Sequence, residues 1–93
     1  MYIHIGSGMS VRAEEVVCVI DLERDTTSEG VKRYMKRMQE EGRVRQAGDE
    51  LPKALVVTCG KNGQICNVSP VSVRTLKARF EETEDMKLWK RKS

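Results

Sequence analysis

Basic side chains are the residues of this chain whose number and spacing best suit a chemical role. The chain of 93 residues has 17 lysines and arginines against 14 acids, and its net charge is +3. Six basic and two acidic residues lie between positions 32 and 45. Phosphate contacts position a nucleic-acid duplex without reading its sequence, while a solvated helix face gives the same pattern. Side chains in loops or at strand ends are best placed to reach a groove, and they are Arg12, Arg43, Arg45 and Lys53.

Few other side chains could do chemistry. His4 is the sole histidine, and with Cys18, Cys59 and Cys66 it could form a Cys₃His zinc site. No pair of these residues has the Cys-x-x-Cys spacing of such sites, so we predict reduced, small apolar cysteines instead. Gly6-Ser7-Gly8 lacks the lysine of a phosphate loop and is typical of a tight turn. We therefore predict no catalytic residue, no metal and no cofactor.

A β-hairpin is the element that must position these side chains. Asn62-Gly63 separates two β-rich runs, which is a strong hairpin signal. If those two residues form the loop, Cys59 lies directly opposite Cys66, at a separation that permits a disulfide. A four-residue loop over residues 60–63 shifts the pairing by two and keeps every side chain on its face. In a reducing cytoplasm we expect free thiols under either loop.

The two faces of this hairpin differ in composition. The predicted core face carries Leu55, Val57, Cys59, Cys66 and Val68. The other face is mixed, and we expect it to meet a partner subunit; it carries Ala54, Val56, Thr58, Ile65 and Asn67.

The remaining elements are predicted from the spacing of apolar residues and from the residues that typically begin or end helices and strands. Residues 2–5, 9–11 and 16–20 are predicted strands, with a turn at 13–15, and residues 43–46 form a short edge strand. Asp25-Thr26-Thr27-Ser28 supplies helix-start residues for a helix over about residues 28–41, which Gly42 ends. Its apolar side chains are Val31, Tyr34, Met35 and Met38. Ser69 is expected to cap a second helix, with Pro70 at its first position. The apolar stripe of that helix is Val73, Leu76 and Phe80.

These elements predict a single α+β domain over residues 1–80, with a small, mostly antiparallel β-sheet and two helices. Residues 81–93 are predicted to be a charged tail, as a frayed helix or disordered. Aromatic residues make up only 4% of the chain and leave few large side chains for a core, which favours a dimer or a ring. No signal peptide or membrane span is recognisable, so we expect a cytoplasmic protein.

Three segments together resemble one family, namely residues 1–6 (MYIHIG), 52–58 (PKALVVT) and 69–77 (SPVSVRTLK). They are similar to the RemA/RemB family of bacterial extracellular-matrix (biofilm) regulators, and closer to the RemB branch. The resemblance covers about residues 1–80. It implies a DNA-binding transcription regulator that forms dimers and, in the RemA branch, closed rings with a basic outer surface around which DNA can bend.

The chain departs from the RemA branch at two places. That branch has an arginine before the strand that corresponds to residues 16–20, where this chain has Glu14-Glu15. It also has adjacent arginines before the central strand, where this chain has Asp49-Glu50-Leu51-Pro52. Acids repel phosphate, so Arg12, Arg43, Arg45 and Lys53 would have to replace the missing contacts.

Two functions remain open from the sequence. The first is a non-enzymatic, homo-oligomeric regulator that binds double-stranded DNA through its phosphates. The second is a protein-interaction module with little DNA binding of its own, in which the acidic loops meet a basic partner protein.

Overall fold

The computed structural model describes the backbone of residues 1–24 and 28–92, and the side chains of residues 1–24 and 28–82. The predicted helix-start residues 25–27 lie outside the described residues, as do the side chains of most of the predicted tail. A short 3₁₀ turn over Ala13–Glu15 separates the second and third strands. The elements in chain order are β1 (Tyr2–Gly6), β2 (Met9–Arg12), β3 (Val16–Asp21), α1 (Glu29–Glu40), β4 (Val44–Gln46), β5 (Ala54–Gly60), β6 (Gly63–Ser69) and α2 (Val73–Lys92).

The predicted α+β class is confirmed, and the strands divide into two sheets. β1 and β2 form an antiparallel hairpin, while the other four strands form a sheet in the order β3-β5-β6-β4. Only β4 runs parallel to its neighbour, β6. β3 and β4 therefore lie at opposite edges of the larger sheet, and α1 connects them. A parallel strand requires a crossover of this kind, whereas a hairpin can join only antiparallel strands.

The β5–β6 hairpin has the register of the longer predicted loop. Cys59 pairs with Gln64 and Val57 pairs with Cys66, so the direct opposition of Cys59 and Cys66 is wrong. A two-residue type I′ loop at Asn62-Gly63 needs positive φ at both residues. Gly63 has a φ of +95°, but Asn62 does not have a positive φ. All three cysteines are free; Cys66 is buried and the other two are exposed.

The predicted core face of the hairpin packs against α1. Leu55, Val57, Cys66 and Val68 form one buried cluster with Met38 of that helix, and Tyr34 and Met35 pack on it. Cys59 is the exception, because it lies near the end of β5 and is exposed.

The second face of the hairpin is covered within the chain. Ala54 and Val56 are fully buried, in a cluster with Ile5 of β1 and Leu76 of α2. The expectation that this face meets a partner subunit is therefore wrong for these two residues. The β1–β2 hairpin and α2 supply the apolar side chains that this face needs.

The two helices begin at serine caps. Ser28 Oγ accepts a hydrogen bond from the Val31 N–H at 3.2 Å. α2 is capped by Ser72, whose Oγ accepts from the Thr75 N–H at 3.2 Å, so the predicted cap at Ser69 is wrong. Ser69 is instead the last residue of β6, and its buried hydroxyl donates a hydrogen bond to the Ile5 carbonyl at 2.7 Å. Neither helix, within the described residues, combines the length and apolar character needed to cross a membrane.

Candidate nucleic-acid interface

The four predicted phosphate contacts do not form one patch. Arg43 precedes Val44 in the chain. Val44 pairs with Cys66, and Cys66 pairs with Val57, so Arg43 lies one residue beyond this row of the sheet. Lys53 lies at the other end, where its N–H donates to the Ser69 carbonyl and its carbonyl accepts from the Leu22 N–H. About five residues, or about 17 Å along the strands, separate the two levels. A single phosphate group therefore cannot bridge Arg43 and Lys53.

Arg12 is held near an acid. It is exposed at the end of β2, and its Nη2 lies 3.3 Å from Glu14 Oε2. The Met1 amino group lies 3.0 Å from Glu14 Oε1. The hydrogen bond from that amino group, with smaller contributions that include Arg12, lowers the pKa of Glu14 from 4.5 to about 2. The carboxylate is ionised at neutral pH and is shared between the Met1 amino group and Arg12, so this group of three keeps a net positive charge.

Arg43 fastens the β5–β6 turn. Its Nη1 donates to the Asn62 carbonyl at 2.7 Å and to the Gln64 carbonyl at 3.3 Å. Its Nε lies 3.7 Å from a carboxylate oxygen of Glu41, and the side chain is 37% exposed. A Cβ at position 63 would lie 3.2 Å from Nη1, so Gly63 gives the guanidinium its room. Arg43 is therefore a structural clamp of the hairpin, because its Nη1 is engaged by two main-chain carbonyls.

Arg45 and Lys53 differ in exposure. Arg45 lies on the edge strand β4, is exposed, and makes no ion pair with the described residues. Lys53 is half-buried, and the loop before it presents the exposed acids Asp49 and Glu50. Of the four predicted contacts, Arg45 has the surroundings best suited to a phosphate.

Among the residues whose side chains the structure describes, α1 carries a cationic surface that was not among the four predicted contacts. Tyr34, Met35 and Met38 pack on the sheet, and the charged residues of the helix project away from it. We call this surface the α1 basic face; its four exposed members are Lys32, Arg33, Lys36 and Arg37. A basic pair repeated four residues later lies on one side of a helix, so the spacing could have revealed it.

The α1 basic face keeps most of its charge. Lys32 lies 3.8 Å from Glu29 and Arg37 lies 3.9 Å from Glu41, in exposed pairs that contribute little energy. Arg33 and Lys36 make no ion pair with the described residues. Arg37 also stands over the Tyr34 ring at 5.7 Å.

Tyr34 joins the helix to the hairpin. Its hydroxyl donates to Gln64 Oε1 at 2.6 Å. Desolvation, together with the nearby Cys66 thiol, raises the pKa of Tyr34 to about 12. The phenol therefore stays protonated and holds α1 in place as a hydrogen-bond donor.

The described residues show no cluster of three or more His, Cys, Asp or Glu side chains that could hold a metal ion. His4 is exposed on β1, and its carbonyl accepts a hydrogen bond from Arg79 of α2. What the described arrangement offers a ligand is positive charge on a rigid helix.

A comparison with known protein families finds a match for this chain. The RemA-like family model, described as "Extracellular matrix regulatory protein A-like", matches residues 2–80. No curated protein matches the chain.

Proposed function

The chain belongs to the RemA-like family of extracellular matrix regulatory proteins, and we propose that it is a non-enzymatic transcription regulator that binds double-stranded DNA as a homo-oligomer. A cytoplasmic location is part of this proposal. A place near the RemB branch is also part of it, and rests on the three segments at residues 1–6, 52–58 and 69–77.

The observation that carries this proposal is the α1 basic face. Four cationic side chains stand on one helix. The exposed Arg45 lies on the adjoining edge strand, but its neighbour Val44 packs towards α1, so Arg45 projects to the other face of the sheet. The helix fixes the backbone of its four basic residues, so that contact with a phosphate backbone has to order only their side chains. This surface supplies positive charge in a chain that has acids where the RemA branch has arginines.

The proposed contacts act through counterion release. Each phosphate neutralised by a lysine or arginine releases condensed cations, which favours binding most at low salt. The four contacts of the α1 basic face predict a slope of about −3.6 per protomer for log affinity against log salt. Repetition of the face in a homo-oligomer would add contacts along the duplex without adding any base contact.

The test is duplex binding by fluorescence anisotropy over a range of salt concentrations. Neutralising two contacts in the double variant Arg33→Gln, Lys36→Gln should change the slope to about −1.8 and weaken binding about 60-fold at 0.1 M salt. The matched control is Arg74→Gln with Lys77→Gln, which removes the same charge from exposed positions of α2. A flat salt dependence, no retention of any duplex at about 50 mM salt, or equal losses in both variants would overturn the proposal.

A second candidate is the protein-interaction module, in which acidic loops meet a basic partner protein. The exposure of Asp49 and Glu50 favours it, whereas Glu14 is already engaged with cations of the same chain. Arg45→Glu separates the two candidates. It should weaken duplex retention if DNA is the partner, and it should leave binding of a basic protein intact if the acidic loops are the contact.

A further inference from the structure

An apolar groove lies where α1 leaves the larger sheet uncovered. α1 packs mainly on β4 and β6, so the described residues leave the β3 side of that face open. The groove has a volume of about 380 Å³. Its apolar lining comes from β3, α1 and β5 and includes Val17, Cys18, Ile20, Val31, Tyr34 and Val57.

A bulge in β3 brings two neighbouring side chains to this groove. Val16 pairs with Thr58 and Cys18 pairs with Val57, so Val17 is the extra residue between them. Val17 is 59% exposed, which is high for an aliphatic side chain on a strand. Within the described residues it has no apolar neighbour that covers it.

β3 also offers its main chain. It is an edge strand of the four-stranded sheet and pairs with β5 alone in that sheet. An edge strand presents unpaired N–H and C=O groups that can pair with another extended segment. A groove beside such an edge can take alternate side chains of the added strand while the main chain supplies hydrogen bonds.

The rim of the groove is basic. A second depression, lined by Gly30, Arg33, Tyr34 and Arg37, shares Gly30 and Tyr34 with the apolar groove. Both arginines are exposed. An occupant that fills the apolar part and continues along α1 therefore meets two positive charges.

We propose that this groove binds an extended segment of a partner protein, added alongside β3, in which apolar residues at alternate positions are followed by acidic residues. The apolar residues would contact Val17, Ile20 and Val57, and the acidic ones would meet Arg33 and Arg37. The lining favours a peptide over a nucleic acid because it is largely aliphatic, whereas bases need aromatic faces on which to stack. The rim of the groove shares Arg33 and Arg37 with the α1 basic face, whereas its apolar lining contains no member of that face. The proposal does not rest on DNA binding.

Cys18 provides a built-in probe of the groove. It is exposed within the lining, while Cys59 is exposed outside it. The alkylation rates of both thiols would be measured by mass spectrometry in the presence of end-blocked octapeptides. One peptide set carries valine, leucine or phenylalanine at alternate positions, with serine between them, and ends in two glutamates, and the control set replaces glutamate with lysine.

The acidic set should slow the alkylation of Cys18 about tenfold when free peptide is about ten times its Kd, and should leave Cys59 unchanged. No protection of Cys18, equal protection by both sets, or equal slowing of both cysteines would overturn the proposal. Protection by duplex DNA alone, or by raising the protein concentration without peptide, would also overturn it. Those last results would identify a nucleic acid or a second copy as the occupant.

Two charge insertions at exposed apolar positions complete the test. Val17→Glu places a carboxylate in the groove and should abolish the protection of Cys18. Leu51→Glu, at a position that is 79% exposed and outside the lining, should not. Val17→Glu should also retain the duplex affinity of the unmodified chain, so that failure of the groove and failure of DNA binding give different results. Loss of protection in both variants would refute the placement of the peptide.

Discussion

Replacement of Arg43 should destabilise the hairpin rather than only weaken a phosphate contact. The Arg43→Ala variant removes the guanidinium that donates to the carbonyls of Asn62 and Gln64. The Arg43→Lys variant keeps the charge but loses the planar group that reaches both carbonyls. The two variants together therefore separate the clamp from the charge.

The magnitude follows from the geometry of those contacts. A hydrogen bond from a charged donor contributes about 1.5–3 kcal/mol, and the 37% exposure of the side chain reduces this. The ion pair with Glu41, at 3.7 Å and half-exposed, adds little. We expect Arg43→Ala to lower the free energy of unfolding by about 1–2 kcal/mol, and Arg43→Lys by about 1 kcal/mol.

Urea denaturation followed by circular dichroism measures this loss. With a slope of about 1 kcal/mol per M, the midpoint of Arg43→Ala should fall by about 1–2 M. Arg45→Ala is the matched control, because it removes an exposed arginine two residues further along and should change the free energy by less than about 0.5 kcal/mol. An Arg43→Lys variant as stable as the unmodified chain would show that the clamp reasoning is wrong.

Three further predictions concern burial. Leu76→Ala should cost about 2–5 kcal/mol in the same assay because the side chain is fully buried, whereas the exposed Leu51→Ala should cost less than about 0.5 kcal/mol; similar losses would contradict the packing of α2. The pKa of Tyr34 is raised from 10 to about 12, so its contribution to stability is complete below pH 10 and is lost as the pH rises to about 12. Melting temperatures over that range should fall less steeply for Tyr34→Phe, and an unchanged pH dependence would argue against the raised pKa. Burial raises the pKa of Cys66, so this thiol should resist alkylation until the chain unfolds, while Cys59 reacts in the native state; equal rates would place Cys66 at the surface.

Local patterns in the sequence were enough to predict most elements of the fold. The alternation along residues 54–68 assigned Leu55 and Val57 to the face that packs on α1, as the structure confirms. The pairing partner of β4 could not be predicted this way, since three residues carry no signal for a parallel neighbour. The sequence also did not show whether Ser69 or Ser72 caps α2. The answer depends on whether Ser69 remains paired with Ala54 in the sheet.

The candidate site was harder to predict because the use of a charged side chain is a tertiary property. Arg43 and Arg45 are two residues apart and looked equivalent in the sequence. Only the fold brings the β5–β6 turn within reach of Arg43 and leaves Arg45 at an open edge. The α1 basic face was encoded locally, by a basic pair repeated after four residues, and a helical projection of residues 32–37 would have revealed it.

The position of the β5–β6 hairpin in the larger sheet also determines the order in which that sheet can assemble. β3 and β4 come first along the chain but pair only with strands that follow them, β3 with β5 and β4 with β6. Residues 1–53 therefore contain no pairing partner for β3 or β4. The buried residues that cluster with Met38 of α1 also lie in β5 and β6. During synthesis, β3 and β4 can therefore pair in this sheet only after residues 54–69 have been made. β5 and β6 are synthesised last and form the centre of the sheet, to which the earlier strands add at the edges.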